Sequence, residues 1–591
     1  MLYGLANVMV KAPTIGPRPK NVPPPTPVNL PQFDLPPPDS LGSTDDPSHA
    51  SVVCLLQSLH RPTQVKDRHF SALGVHLHSD ATAESIVPDP SCLPSASDWD
   101  GIDVDEAKRR DHAFRKPLSN GRMSPEARVY MERRNELSVA NQAAFRTVRR
   151  IKPEMGKPAV RLGNAYEFFR QMELMATYWD DTSLPPLPED DGDDESAPDP
   201  AGPQPDQVGA AEPAANSALP TGAEKAKETE TEPERITYRT APGSQMPAEI
   251  RHNLISAFVK LVAYDFGCNV LPPRVEPRLY LVEPPPVKTK RKGSALAQKV
   301  SYFSSGCVFI SRTPAAREEA RAGIIEGRIA AVSARNTTRF TTATESNIDF
   351  GRELVAALAT AQLRAREGKE EKRFGEGEWW ATAKRWGGGE GGPIGREVEG
   401  DAIVGDKDSL VGGDSLGEAP LAPGYNQLPA PGSSRPVPDI KRNVPFRGPP
   451  VNKKPRKTLS MYDRYRMVRP PSSNWDKKSK YEAIGKVRGS GYDDVFVFSS
   501  LFHHISILRV RVPDALLAVL DGTSEQDIAS SGDKDRRLGW GKLEVWRSRW
   551  FDLLKPEERL EAMRLLWGVM AWSMRKTDSD TQGEDRQDEK K

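Results

Sequence analysis

The sequence predicts an α+β, predominantly helical protein in which one composite core is interrupted by long disordered insertions. The 591 residues include 54 Pro and 45 Gly, and only 37% are hydrophobic. Roughly 270 residues in stretches rich in Pro, Gly, Ser and charge therefore bury too little apolar surface to offset the entropy of ordering. The rest carries apolar residues mostly at helical spacing, in blocks too short to fold alone. These blocks are expected to pack together.

Composition divides the chain into eight segments. They are a disordered Pro-rich tail at 1–50, a short apolar island and loop at 51–120, a helical hairpin at 121–182, a disordered acidic linker at 183–235, an α+β block at 236–366, a disordered Gly/Pro-rich and basic linker at 367–459, a Trp-rich helical block at 460–576 and a disordered tail at 577–591. Each linker lacks the branched and aromatic residues that form a core.

The helical hairpin is predicted from two amphipathic stretches. The first begins at Ser124, an N-cap residue followed by Pro125, and extends to about Arg150. The second covers about 161–180, and the short connection favours antiparallel packing.

The middle block mixes helices and strands. Apolar spacing predicts helices at about 247–264 and 346–366, and the alternating residues of PRLYLVEP predict a strand. Residues 299–342 combine strand-like runs with a helix that opens after Thr313 and Pro314.

The last block contains DDVFVFSSLFHHISILRVRVPDALLAVL, whose period does not distinguish strand from helix. Two helices are predicted after it. One covers about 540–554, with Trp546 and Trp550 four residues apart on one face, and the other opens at Pro556.

Charge and cysteine content point to an intracellular, soluble protein of the nucleus or cytoplasm. Lys and Arg number 83 against 82 Asp and Glu, so no global field attracts nucleic acid or a membrane. The four cysteines are widely separated, which favours a reducing compartment. The first residues are too weakly apolar for a signal peptide, and no run of 18 apolar residues exists. No membrane association is expected.

The motif GVHLHSD is the strongest candidate for metal chemistry. His76 and His78 alternate on a predicted strand and so face one side, with Asp80 close behind. The pattern resembles the His-x-His strand of metal-dependent amidohydrolases and related phosphoesterases, which implies further ligands on later barrel strands. Only three histidines follow His112, and the chain lacks βαβα alternation. The sequence therefore favours a half-exposed strand with incidental histidines, and we predict no metal ligand or cofactor.

Two other patterns are set aside on similar grounds. Neighbours such as His503 and His504 face different directions in a helix or strand, so we expect one in the core and the other exposed. The glycine run at 387–397 lacks the Lys-Ser/Thr of a phosphate-binding loop and favours a flexible linker.

No G-x-S-x-G, H-E-x-x-H, kinase or dinucleotide signature is present, so we predict no catalytic residue. Whether the protein is an enzyme stays open, and the sequence favours a non-enzymatic protein.

Three indoles in the 367–459 linker suggest docking. Trp379, Trp380 and Trp386 lie within eight residues and are expected to cover a groove, on the core in preference to a partner.

Two basic clusters suggest nuclear import or a nucleic-acid patch, against the alternative of a solvated linker. They are Lys288, Lys290, Arg291 and Lys292, and Lys453, Lys454, Arg456 and Lys457. No nucleic-acid-binding fold signature accompanies them.

These observations favour a non-enzymatic interaction or scaffold protein with protein partners. The alternatives are a nuclear, nucleic-acid-associated factor and, more remotely, a metal-dependent hydrolase. In its ordered blocks, such as YEAIGKVRGSGYDDVFVFSSLFHHISILRVRVP, and its long linkers, the chain resembles uncharacterised proteins of filamentous fungi. That resemblance implies no activity and no functional residue.

Overall fold

The centre of the protein is an eight-stranded mixed β-sheet with helices on both faces. The computed structural model describes residues 19, 22–33, 51–59, 62–94, 105–106, 109, 115–186 except 154, 155 and 157, 235–285 except 274–276, 300–312, 324–371, 479–531 and 538–577. The strands are β1 Val75–His78, β2 Cys268–Leu271, β3 Arg278–Val282, β4 Val300–Ser304, β5 Val308–Arg312, β6 Ile324–Glu326, β7 Arg328–Ala334, β8 Glu370–Glu371, β9 Ser479–Tyr481, β10 Tyr492–Leu501, β11 His504–Pro513, β12 Leu543–Arg547 and β13 Phe551–Asp552.

Helices cover the two faces of this sheet. They are α1 Val52–Gln57, α2 Asp67–Leu73, α3 Ala83–Ile86, α4 Ala127–Leu137, α5 Asn141–Val148, α6 Tyr166–Met175, α7 Ala248–Ala263, α8 Ala343–Arg364, α9 Asp514–Leu520, α10 Glu525–Ser531 and α11 Pro556–Met574. Helices α5, α6, α7 and α11 contribute to the core on one face. Helices α1, α2, α8 and α9 contribute to the core on the other.

The prediction of a predominantly helical fold is wrong, because this sheet organises the described residues. Its strand order is β1-β12-β11-β10-β7-β5-β2, with β13 also paired to β11, and β3 and β4 form a separate pair. The error comes mainly from the last block. The helix predicted at 540–554 is β12 followed by β13, and the ambiguous apolar run is the β10–β11 hairpin.

The strand directions bring the carboxyl ends of several strands to the same end of the sheet. Strand β1 is parallel to β12 and β10 is parallel to β7, while β11 is antiparallel to both β10 and β12. Strands β1, β12, β10 and β7 therefore point the same way, and their carboxyl ends share one edge. Ligands of α/β proteins commonly bind at this edge.

A buried network of charges fixes α8 on the sheet. The Arg335 guanidinium donates to Asp349 at 2.5 and 2.8 Å, to Glu353 at 2.9 Å and to Ser499 at 2.8 Å. Glu353 also accepts from Arg547, and the four charged residues are at most 5% exposed. Each carboxylate in this network is thus paired, as buried charges must be to avoid a large desolvation cost.

Part of the tail predicted to be disordered lies on the core. Residues 22–33 form neither helix nor strand, and the ring of Phe33 lies 5.1 Å from the ring of Phe350 and 4.7 Å from the guanidinium carbon of Arg547. The backbone N–H of Ser244 donates to the Thr26 hydroxyl at 3.2 Å. A Pro-rich segment can therefore be held by a few side-chain contacts without joining a sheet.

A short three-stranded sheet, in the order β6-β9-β8, joins residues on either side of 372–478. Glu371 pairs with Ser479, and Gly368 and Lys369 exchange backbone hydrogen bonds with Tyr481 at 3.1 and 3.2 Å. The chain therefore leaves the core and returns to it at adjacent positions.

Among the helices of the described part of the chain, none combines the length and the apolar character needed to cross a membrane.

Candidate metal centre

Strand β1 presents two histidines on one side of the sheet because its residues alternate between faces. Val75 and Leu77 contribute to the core on one side, and His76 and His78 face the other. Since β1 is the last strand on its side of the sheet, the imidazoles are only partly covered, with 34% and 38% of their side chains exposed. The pair is therefore accessible to solvent.

The neighbouring strand β12 supplies a third ligand atom. The parallel register sets His76 beside Glu544 and His78 beside Trp546. Glu544 Oε2 lies 2.9 Å from His76 Nδ1 and 2.7 Å from His78 Nε2. Two nitrogens and one carboxylate oxygen thus converge on one small volume, all within 4.8 Å of one another.

The local fold holds β1 in this register. Gly74 ends α2 with φ of +72° and leads directly into β1, and a Cβ there would lie 2.8 Å from Leu538 Cδ1 and 3.0 Å from the Gly541 oxygen. The Leu543 N–H donates to the Gly74 carbonyl at 2.8 Å, and the Ala81 N–H donates to the Arg547 carbonyl at 2.7 Å. These two bonds bracket the histidine strand.

An aromatic and cationic surface adjoins the centre. The His78 ring stacks on Trp546 at 5.3 Å with an interplanar angle of 11°. The guanidinium carbons of Arg509 and Arg511 lie 4.5 and 5.4 Å from the centre of the same indole. Both arginines pair with Asp494, at 2.9 and 3.2 Å. Two cations thus share the Asp494 carboxylate, and Glu544 lies opposite Arg511 in the β11–β12 ladder.

Asp80 does not join the centre. It follows β1 in a turn with φ of +50°, and the ligand group contains Glu544 in its place. Sequence reasoning missed Glu544 because no spacing rule links a residue of β1 to one more than 450 positions later. The parallel pairing of β1 with β12 brings Glu544 beside the two histidines, and the sequence alone does not reveal that pairing.

A second group of histidines lies at the tip of the β10–β11 hairpin. His503, His504 and Asp552 have ligand atoms within 4.8 Å of one another. The histidines were expected to face apart, yet their rings are 4.3 Å from each other because His503 belongs to the turn and His504 begins β11. His503 is 2% exposed and His504 is half-buried.

Burial sets the protonation of this second group. Burial, and then the proximity of His503, lowers the pKa of His504 to about 3. Burial raises the pKa of Asp552, but the adjacent His503, His504 and Thr182 outweigh that effect and leave it well below its usual range. His504 is therefore neutral and Asp552 ionised at neutral pH.

The other sequence candidates lie outside the described residues. They are the basic clusters Lys288, Lys290, Arg291 and Lys292, and Lys453, Lys454, Arg456 and Lys457, the indoles Trp379, Trp380 and Trp386, and the glycine run at 387–397. Their proposed roles stay predictions.

Comparisons of the chain with protein-family models, with curated proteins and with solved structures found no match.

Proposed function

We propose that the protein binds a divalent transition metal ion through His76, His78 and Glu544 and acts as a metal-dependent hydrolase. The observation that carries this proposal is the convergence of His76 Nδ1, His78 Nε2 and Glu544 Oε2 on one point at the sheet edge. Two histidines and one glutamate, with a position left open, are a ligand set of hydrolytic zinc centres. Structural zinc sites have four protein ligands and are closed.

The partial exposure of all three side chains supports an open centre. A metal ion held there would keep a face toward solvent, where it supplies Lewis acidity and lowers the pKa of water to about 7. The exposed Glu544, at 24%, can shift to accommodate the ion. The shift is small, because ligand atoms of a tetrahedral zinc ion lie about 3.3 Å apart, compared with 2.7 and 2.9 Å here.

The surface beside the centre favours an anionic substrate. Arg509 and Arg511 lie against the indole of Trp546, which also stacks on His78. Arg511 retains 33% exposure despite its pairing with Asp494. A carboxylate or phosphate group bound near the ion could therefore pair with Arg511.

Titration with Co²⁺ tests the metal-binding step. The purified full-length chain, stripped with a chelator, should develop the visible absorption of Co²⁺ bound to nitrogen and oxygen. Glu544→Gln should weaken binding at least tenfold, since a ligand charge is lost. Glu561→Gln is the matched control, because Glu561 is exposed and pairs with Arg549. Equal affinity in the Glu544 variant and the control would reject the centre.

A second proposal is the interaction or scaffold role expected from the sequence. The observation in its favour is the pairing of Glu371 with Ser479, which makes residues 372–478 an insertion anchored at both ends. That insertion carries Trp379, Trp380 and Trp386 and the basic cluster Lys453–Lys457. Affinity capture with full-length protein and with a chain lacking 372–478 should show partners that only the complete chain retains.

The nuclear, nucleic-acid-associated alternative makes a separate prediction. Its binding to nucleic acid should weaken steeply with salt, since the contacts would be to phosphates. Replacement of Lys453, Lys454, Arg456 and Lys457 by Ala should then remove nuclear localisation, and an unchanged distribution argues against this role.

A further inference from the structure

The tip of the β10–β11 hairpin is a strained turn buried in the core. Phe502, fully buried, has φ of +51°, a region that bulky L-residues rarely adopt. The Phe502 carbonyl accepts a hydrogen bond from Arg251 Nε at 3.2 Å, and Arg251 is 1% exposed. The surrounding core thus holds the turn in a conformation that its own sequence disfavours.

This turn places an imidazole in the interior without partners for its nitrogens. Among the residues that the structure describes, neither Nδ1 nor Nε2 of His503 has a hydrogen-bond partner, and Nδ1 of His504 also lacks one. Buried polar atoms are normally paired, because an unpaired one loses its hydrogen bonds to water without replacement. Three imidazole nitrogens of two adjacent residues thus lack a hydrogen bond within the described part of the chain, although one of them, His503 Nε2, has a carboxylate nearby.

An acidic side chain lies within reach of these nitrogens. Asp552 Oδ1 is 3.6 Å from His503 Nε2, too far for a hydrogen bond. It is close to the spacing of about 3.3 Å between two ligands of a tetrahedral zinc ion. Strand β13 sets this position, because Asp552 pairs with His504 across the sheet.

Other groups hold the carboxylate and cover the imidazoles. The Thr182 hydroxyl donates to Asp552 Oδ2 at 2.6 Å, and the Leu554 N–H donates to Asp552 Oδ1 at 2.9 Å. The Trp179 ring lies 5.6 Å from His503. Trp179 fits there because residue 243 is glycine, at which a Cβ would lie 2.1 Å from the indole. Such outer contacts are typical of metal sites.

We infer that His503, His504 and Asp552 form a second, buried binding site for a divalent transition metal ion of the zinc class. Three protein ligands leave a tetrahedral ion one position for water. The ion would pair the imidazole nitrogens that the fold leaves without partners. It would also link the hairpin tip to β13 and, through Thr182, to the segment that follows α6. This site is independent of His76, His78 and Glu544.

Metal content of a variant that lacks the first centre tests this inference. The full-length chain with His76→Ala and His78→Ala, saturated with Zn²⁺ and freed of excess by gel filtration, should retain about one equivalent of zinc. Because the site is buried, the retained zinc should leave slowly in EDTA. Zinc should also raise the Tm of this variant by several degrees, since it binds only the folded state.

Adding His504→Asn to that variant should abolish both the retained zinc and the rise in Tm. His252→Asn, at another buried imidazole outside both groups, is the matched control and should retain them. A folded His76→Ala, His78→Ala chain that binds no zinc and shows no change in Tm overturns the inference. If the unsubstituted chain retains no more zinc than the His76→Ala, His78→Ala chain, the first proposal is rejected and this inference stands.

Discussion

Glu371 and Ser479 are directly paired neighbours in the antiparallel β8–β9 ladder, although residues 372–478 separate them in the chain. Backbone hydrogen bonds between Lys369 and Tyr481 and between Gly368 and Tyr481 lie next to this pair. The core therefore holds the two ends of residues 372–478 side by side.

Replacing residues 372–478 by a short Gly/Ser linker should leave the fold intact. The ends to be joined are already adjacent, so the shorter loop also lowers the entropy cost of closure. Thermal unfolding followed by circular dichroism should give a single transition with a Tm within a few degrees of the full chain. An aggregated or unfolded product would show that the insertion contributes to the core.

Replacement of Glu353 by Ala should destabilise the protein by about 3–5 kcal/mol, because two buried arginines lose their shared carboxylate. Glu353 is fully buried and contacts both Arg335 and Arg547. Urea unfolding measures the change. Glu561→Ala, at an exposed site paired with Arg549, is the control and should change stability by less than about 0.5 kcal/mol.

His252 should make the protein sensitive to acid. Burial, together with the charge of Lys260, lowers the pKa of His252 to about 4. The unfolded chain, with a His pKa of about 6.5, therefore binds more protons between those values, so stability is complete above pH 6.5 and falls as the pH drops toward 4.

His252→Gln should reduce the slope of unfolding free energy against pH in this window by up to about 1.4 kcal/mol per pH unit. Urea unfolding at several pH values provides the slope, and the wild-type chain is the reference. An identical slope in the two proteins would mean that the pKa of His252 is the same in the folded and the unfolded chain, which contradicts the shift.

Cys54 should be the thiol that reacts first in the folded protein. All four cysteines are free, and Cys54 is half-exposed whereas Cys92, Cys268 and Cys307 are buried. Burial raises the pKa of the buried thiols to about 11, 12 and 11, so little thiolate forms. Maleimide labelling with mass spectrometry should find one fast site in buffer and four in urea. Rapid labelling of Cys307 would contradict the structure.

Helices were predictable where an amphipathic stretch had clear ends. The helix predicted at 247–264 lies at Ala248–Ala263, and the one predicted at 346–366 lies at Ala343–Arg364, where Thr342 and Glu345 form a capping box that the sequence analysis overlooked. Pro556 marks the start of α11 as predicted. Such signals are local, so they need no knowledge of the fold.

The sheet was not predictable in the same way. Strand β10 is buried on both faces, with Val495 and Val497 on one side and Phe496 and Phe498 on the other, so it shows no polar alternation. In β12 the spacing of Trp546 and Trp550 matched a helix face, but Leu543 and Val545 alternate with half-buried residues. This segment is a strand because it pairs with β1 and β11 in the sheet.

The candidate centre was also predictable only in the part that depends on local strand geometry. The alternation of His76 and His78 could be predicted, because it depends on strand geometry alone. The contribution of Glu544 could not, because it depends on the parallel register of β1 and β12. His503 and His504 were expected to face apart, and the tight turn at Phe502 brings their rings together.

Anomalous diffraction at the zinc absorption edge tests the metal centre most directly. Crystals of the chain lacking 372–478, grown and then soaked with Zn²⁺, should show a peak about 2.0–2.2 Å from His76 Nδ1, His78 Nε2 and Glu544 Oε2. The same crystals with Glu544→Gln should lose that peak. A map without a peak at these three atoms, with His76 and His78 still hydrogen-bonded to Glu544, would contradict the proposal, whether or not zinc occupies the group of His503, His504 and Asp552.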